Sequence, residues 1–201
     1  MSGINMEKLF GGMGQARMSR SANYLKEGRF IMHVRNCKVA DTERQGPGAF
    51  IEMTVLAGIG QPAEGNHSPG EEVSQAFWQR KQVDTFLPNL KAFLHVCLGV
   101  DPEEIDAKEA IEAFPEEGTT ESPLADLVIE LEGVLIKTKG GNDFNRVKYL
   151  RVVPYGEVKQ MVEQDSIQPK IAELCFPGDA LDKYVEFEAQ AEAQAAPAEA
   201  A

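Results

Sequence analysis

Residues 134–154 read VLIKTKGGNDFNRVKYLRVVP, two apolar segments on either side of a Lys-Gly-Gly-Asn turn. Such a stretch folds as a β-hairpin: glycine and asparagine supply the turn, and the period-two alternation gives each strand an apolar and a polar face. Lys137, Lys139, Arg146, Lys148 and Arg151 are threaded between the aromatic residues Phe144 and Tyr149. Cations interleaved with aromatics neutralise a phosphate backbone while stacking on unpaired bases, the chemistry of a groove for single-stranded nucleic acid. The plain alternative is a hairpin whose polar face is basic only because it is solvated.

The chain as a whole is acidic, with a net charge of -12 over 201 residues. Charge acts through where it sits, and here it is segregated. Residues 1–61 hold eight Lys/Arg against five Asp/Glu, and residues 133–154 hold five against one. Twelve acids and one lysine fall in residues 101–132, and ten acids and three lysines in residues 155–201. A basic strand region is therefore compatible with an acidic total, the negative charge being assigned to a helical insert and to the C-terminal segment.

Other strands follow from the same alternation. After Gly28, the segment RFIMHVRNCKVADT sets Phe30, Met32 and Val34 against Arg29, His33 and Arg35. AFIEMTVLAG sets Ile51, Met53 and Val55 against Phe50, Glu52 and Thr54, and EEVSQAFWQRKQ sets Val73 and Phe77 against Ser74, Ala76, Trp78 and Arg80, with Lys81 adjacent. From Asp84 to Leu98 the period becomes helical, with Asp84 as N-cap and Gly99 as the stop. Pro102 to Ala113 predicts a second, acidic and solvated helix capped by Asp101. Strands return at Leu127, Ile129 and Leu131, where Gly133 suggests a bend, and end with FNRVKYLRVVP.

The order is strand, strand, strand, helix, strand, strand. It predicts a mainly β protein with an oligonucleotide/oligosaccharide-binding (OB) fold: a five-stranded Greek-key barrel, a helix between its third and fourth strands, and an acidic helical insert. An open mixed sheet with a covering helix is the competing architecture. Residues 1–21 read as a flexible basic arm, 22–155 as the folded domain, and 156–201 as an acidic, mostly disordered tail after a short helix at GEVKQMVEQ. Its last part, residues 186–201 with Glu186, Glu188, Glu192 and Glu199, would visit the basic groove as a tethered competitor for phosphate.

Several segments resemble a known family: Asn23-Tyr24-Leu25-Lys26-Glu27-Gly28-Arg29-Phe30, Glu72-Val73-Ser74, Val96 to Glu104 (VCLGVDPEE), and Lys137-Thr138-Lys139-Gly140-Gly141 through to Tyr149. Together these are similar to a bacteriophage-encoded family of single-stranded DNA-binding proteins with an OB-fold, over roughly residues 22–154. The resemblance implies sequence-tolerant coating and protection of single strands in phage DNA replication, recombination or repair, in the host cytoplasm. The chain ends Glu199-Ala200-Ala201 and lacks the aromatic tip with which bacterial single-stranded DNA-binding proteins dock their partners. Contact with replication or recombination proteins would have to use the acidic tail in another way.

Strand parity, rather than any transferable motif, selects the candidate nucleic-acid contacts. They are Arg29, His33, Arg35, Phe50, Trp78, Arg80, Lys81, Lys137, Lys139, Phe144, Arg146, Lys148 and Arg151. No catalytic residue, metal or cofactor is expected. Phe10-Gly11-Gly12-Met13-Gly14 lacks the Gly-Lys-Ser/Thr ending of a phosphate loop, and the three histidines have no ligand spacing. Cys37, Cys97 and Cys175 show neither a Cys-x-x-Cys motif nor a pairing pattern and read as buried thiols. No apolar run reaches the ~18 residues of a membrane span, so a soluble, cytoplasmic protein is expected, with self-association compatible with the sequence. Two other readings stay open. One is an acidic protein-interaction adaptor or DNA mimic on the same barrel. The other is a metal-dependent nuclease using the carboxylates of 101–132.

Overall fold

The computed structural model describes residues 6–11, 22–23, 25–42, 46–60, 67–78, 86–137 and 143–195. Its strands are β1 (Ala22–Asn23), β2 (Gly28–Thr42), β3 (Gly46–Ile59), β4 (Glu72–Trp78), β5 (Val128–Lys137) and β6 (Asp143–Val152). They form one antiparallel sheet in the order β1-β6-β5-β2-β3-β4. Helix α2 (Phe86–Leu98) lies between β4 and β5 in sequence, as expected, and ends where Gly99 takes φ 66. The protein is thus mainly β: the five expected strands are β2–β6, in the expected order around α2, and the two-residue β1 is an addition. The single helix expected over 102–113 is split into a 3-10 turn at Pro102–Glu104 and a shorter helix at Ala107–Ala113.

By backbone hydrogen bonding the sheet is open, with no β4–β6 ladder among the described residues. Its two ends nevertheless approach each other. Helix α2 touches both β4 and β6, and the Tyr149 hydroxyl on β6 donates to Gln75 Oε1 on β4 at 2.8 Å. Gly133 works by close approach rather than as a bend: a Cβ there would lie 2.0 Å from the Lys26 carbonyl oxygen, because the chain entering β2 crosses directly over it.

The concave face holds the main core. Met32, Val34, Cys37 and Val39 of β2, Ile51, Met53 and Val55 of β3, and Leu90, Phe93 and Leu94 of α2 are all fully buried there. Two short helices, α1 (Met6–Phe10) and α3 (Ala107–Ala113), close this core. Phe10 is buried and stacked on Phe86 at 6.4 Å between ring centroids, so part of the expected N-terminal arm packs into the domain. The acidic insert is likewise no solvated appendage. Ile105, Ala110 and Phe114 are buried, and Asp106 caps α3 by accepting from Lys108 N at 2.6 Å while Glu109 closes the reciprocal half of a capping box. Apolar residues at helical spacing bury one side of a helix whose other side can be uniformly acidic.

The C-terminal region corrects the expected tail. Helices α4 (Tyr155–Glu163), α5 (Pro169–Cys175) and α6 (Ala180–Ala195) follow β6 directly. Val158, Ile167, Ala172 and Phe176 pack with Ile31, Leu56, Ala57, Val128 and Val153 on the convex face of the sheet. Low overall hydrophobicity hid this layer, because only one residue in four or so is needed to face a sheet that supplies the rest of the apolar surface. Glu188 accepts from Gly156 N at 3.3 Å, so the start of the expected competitor is held against α4 instead of wandering to a groove. No helix among the described residues is long and apolar enough to cross a membrane.

Candidate nucleic-acid interface

Two irregularities in β2 and β3 decide which side chains reach the convex face. The β2–β3 register shifts between Ile31 and Met32 and again between Val34 and Asn36. At the second shift Arg35 is an extra residue, so the outward series changes from odd to even positions: Arg29, Ile31 and His33 before it, Asn36 and Lys38 after it. The same happens on β6. Tyr149 pairs with Leu131 and Arg151 with Glu130, leaving Leu150 as the extra residue. Tyr149 therefore packs edge-on against Phe93 in the core at 5.1 Å, while Arg151 stands on the opposite face.

The C-terminal helices cover only part of the convex face, and His33 lies beneath them. It is 4% exposed, its ring meets Phe176 edge-on at 4.9 Å, and its Nε2 is 3.1 Å from Asp126 Oδ1. Asp126 ties three elements together: Tyr184 of α6 donates to its Oδ2 at 2.6 Å and Tyr155 of α4 donates to its backbone oxygen at 3.2 Å. His33 cannot touch a nucleic acid there, which overturns its assignment as a contact. An exposed cation series on one strand does not guarantee that the next residue of that parity is exposed once a helical layer has settled on it.

Burial pushes the His33 pKa below its ordinary value, outweighing the hydrogen bond and charge of Asp126, which act in the opposite direction. The Nε2 proton points at Asp126, leaving Nδ1 a buried atom without a partner, so protonation there would create an unpaired buried N–H. The unfolded chain then binds more protons than the folded one below the unperturbed pKa of about 6.5, and stability falls as pH drops through the window beneath it. Thermal melts from pH 7.5 to 5 should show a declining midpoint for the wild type and a flatter profile for His33→Gln. Parallel profiles would show that His33 does not set the slope.

Four of the six expected cations that lie among the described residues have carboxylate partners. Arg29 pairs with Glu130, a residue only 2% exposed, and Arg151 donates from Nε to the same carboxylate at 2.7 Å and from its two terminal nitrogens to Glu157 at 2.6 Å each. Arg35 donates to Glu72 at 2.6 Å, and Lys148 to Glu132, its cross-strand neighbour, at 2.9 Å. Arg146 and Lys137 are exposed, with no ion pair among the described residues. Arg80, Lys81 and Lys139 lie outside the described residues, as does the side chain of Phe144, whose backbone pairs with Ile136.

Phe50 and Trp78 stand where parity places them, on the convex face and half-buried, while Phe77 turns into the core at 4% exposure. Their rings meet edge to face, 5.1 Å apart. Gly48 is directly opposite Trp78 in the β3–β4 ladder, and a Cβ on it would come within 2.8 Å of Trp78 Cε3. The indole therefore lies against bare backbone, and that backbone fixes its plane. Lys38 is directly across the β2–β3 ladder from Phe50. Parity counted through Arg35 assigns Lys38 to the core, and only the extra residue in β2 brings it out beside the aromatic pair.

The convex face is consequently divided. Its half around Ile31, His33, Leu56 and Val128 is covered by the C-terminal helices. Its other half, at the far ends of β2 and β3 and along β4, carries the paired rings of Phe50 and Trp78 with Lys38 beside them. In ladder order, β5 and β2 separate the aromatic pair on β3 and β4 from the cations of β6. No protein-family model matches the chain, and no match is found among curated proteins.

Proposed function

We propose that the protein binds single-stranded DNA, without catalysis and with little sequence preference, through the Phe50–Trp78 face of an OB-like barrel. The observation that carries this reading is the aromatic pair itself: two large rings held on the face opposite the core, one of them laid against a glycine backbone. Such a platform accepts the π-face of any unpaired base. The connectivity supports the barrel: β2 pairs with both β3 and β5, β3 with β4, β5 with β6, and a Tyr149–Gln75 hydrogen bond joins β6 to β4, both of which touch α2. Coating of single strands in phage replication, recombination or repair is the role that fits a binder of this kind.

A basic groove is the weaker part of the sequence reading, because Arg29, Arg35, Lys148 and Arg151 are engaged with carboxylates. Binding should accordingly depend more on stacking than on charge, with a shallow salt dependence. Titration of the single tryptophan with oligonucleotides tests the proposal directly. Single strands should quench its emission and bind far more tightly than duplex of the same length, whose stacked bases cannot reach the rings. Equal affinity for duplex and single strand in matched salt, or no response to either, would overturn it.

A further inference from the structure

We infer that Lys38 is the phosphate contact of the Phe50–Trp78 face, and that the strap Pro115–Glu117 guards it with a carboxylate that an incoming strand must displace. This inference rests on the single-strand reading above and concerns how that face is regulated. The strap is built into the sheet. Val39 N donates to Pro115 O at 2.8 Å and Glu117 N to Val39 O at 2.9 Å, a short parallel bridge along the part of β2 that β5 does not reach. The bridge sets Glu117 beside Lys38, whose Nζ donates to Glu117 Oε1 at 2.7 Å and also meets Glu52 Oε1 at 2.8 Å.

The two carboxylates are not equivalent. Glu52 is a strand residue of the same face with a side chain 26% exposed, whereas that of Glu117 is 58% exposed at the edge of the patch. Glu117 is thus the more exposed of the two carboxylates on Lys38, and the one that a phosphodiester would replace if its base stacked on the adjacent rings. Both groups are anions presenting oxygens to an ammonium, so the strand and Glu117 compete for one position. The pairing raises the Lys38 pKa, Glu117 contributing most, and the ammonium that a phosphate would meet once Glu117 is displaced stays charged because a lysine is protonated at neutral pH without such help. An exposed, displaceable partner makes the site weak at rest and favours strands that bring both a base and a phosphate.

Anisotropy of a fluorescently labelled oligothymidylate, measured at low salt with the full chain, tests this. Glu117→Gln should tighten binding about two- to fivefold, the scale of an exposed ion pair. The gain should vanish when Lys38→Gln is added, and Glu121→Gln, which removes an equal charge from an exposed position outside the strap, should leave affinity within error of wild type. Tightening that persists in the Lys38→Gln background, or an equal gain from Glu121→Gln, would mean general charge repulsion and overturn the guard. Wild-type binding with no change in Glu117→Gln would overturn it too while leaving the single-strand reading intact. Absence of binding by the wild type and by Glu117→Gln alike would remove the reading itself.

Discussion

Phe176→Ala is expected to destabilise the C-terminal layer by about 3–5 kcal/mol, the cost of truncating a fully packed aromatic side chain. Phe176 is 3% exposed, and its ring contacts His33, Tyr155 and Tyr184 at centroid distances of 4.9, 6.3 and 6.2 Å. It is therefore the point at which β2, α4 and α6 meet beneath Asp126. Truncation leaves a void between the helices and the sheet and lets water reach His33, so the pH dependence below about 6.5 should weaken at the same time. Urea unfolding followed by far-UV circular dichroism reads the global effect. Hydrogen exchange resolved along the chain would locate it in α4–α6 if the layer opens before the sheet. A solvated tail would respond by less than about 0.5 kcal/mol, as surface positions do.

The second large effect is on binding. Replacing both Phe50 and Trp78 by alanine should cost roughly 2–4 kcal/mol of single-strand affinity, on the order of thirty- to a thousandfold. Each stacking contact is worth about 1–3 kcal/mol, but the two rings touch, so removing one also loosens the other and the double loss falls short of the sum of single losses. The salt slope should stay nearly constant, since no phosphate contact is lost. Because Trp78 is the intrinsic probe, the measurement requires anisotropy of a labelled oligonucleotide. A double variant that melts like wild type and binds equally well would place recognition elsewhere, with Arg146 and Lys137 as the exposed cations to examine next. Loss of affinity accompanied by a much flatter salt slope would show that the face acts through charge rather than stacking.

How much of this was legible in the chain differs from element to element. Strict alternation in 28–34, 49–55 and 72–78, together with the change to helical spacing before Gly99, was enough to specify the strands, their order and α2, because side-chain periodicity is a local property of the backbone. It was also enough to put Phe50 and Trp78 on the side opposite Ile51 and Phe77. Alternation fails wherever one residue is added. The extra residues at Arg35 and Leu150 reverse parity for everything beyond them, which hid Lys38 and separated Arg151 from Tyr149. Nothing in the composition of either strand marks such a shift, since its cause is the twist and pairing of the whole sheet.

Burial of the second face lay equally beyond the chain's local signals. Residues 155–195 carry mostly charge, alanine and glutamine, yet a few apolar side chains at helical spacing suffice to dock them on Ile31, Leu56 and Val128. Ion pairing follows the same logic. The sequence shows which cations a strand carries, while Glu130, Glu72 and Glu132 become their partners only through strand pairing across 101, 37 and 16 residues of chain. The local periods determined by themselves that this protein is a β-sheet with a helix under it and two aromatics on its outer side. Tertiary structure alone decided which half of that side the C-terminal helices cover and which cations the described carboxylates pair, because both depend on contacts between segments distant in the chain.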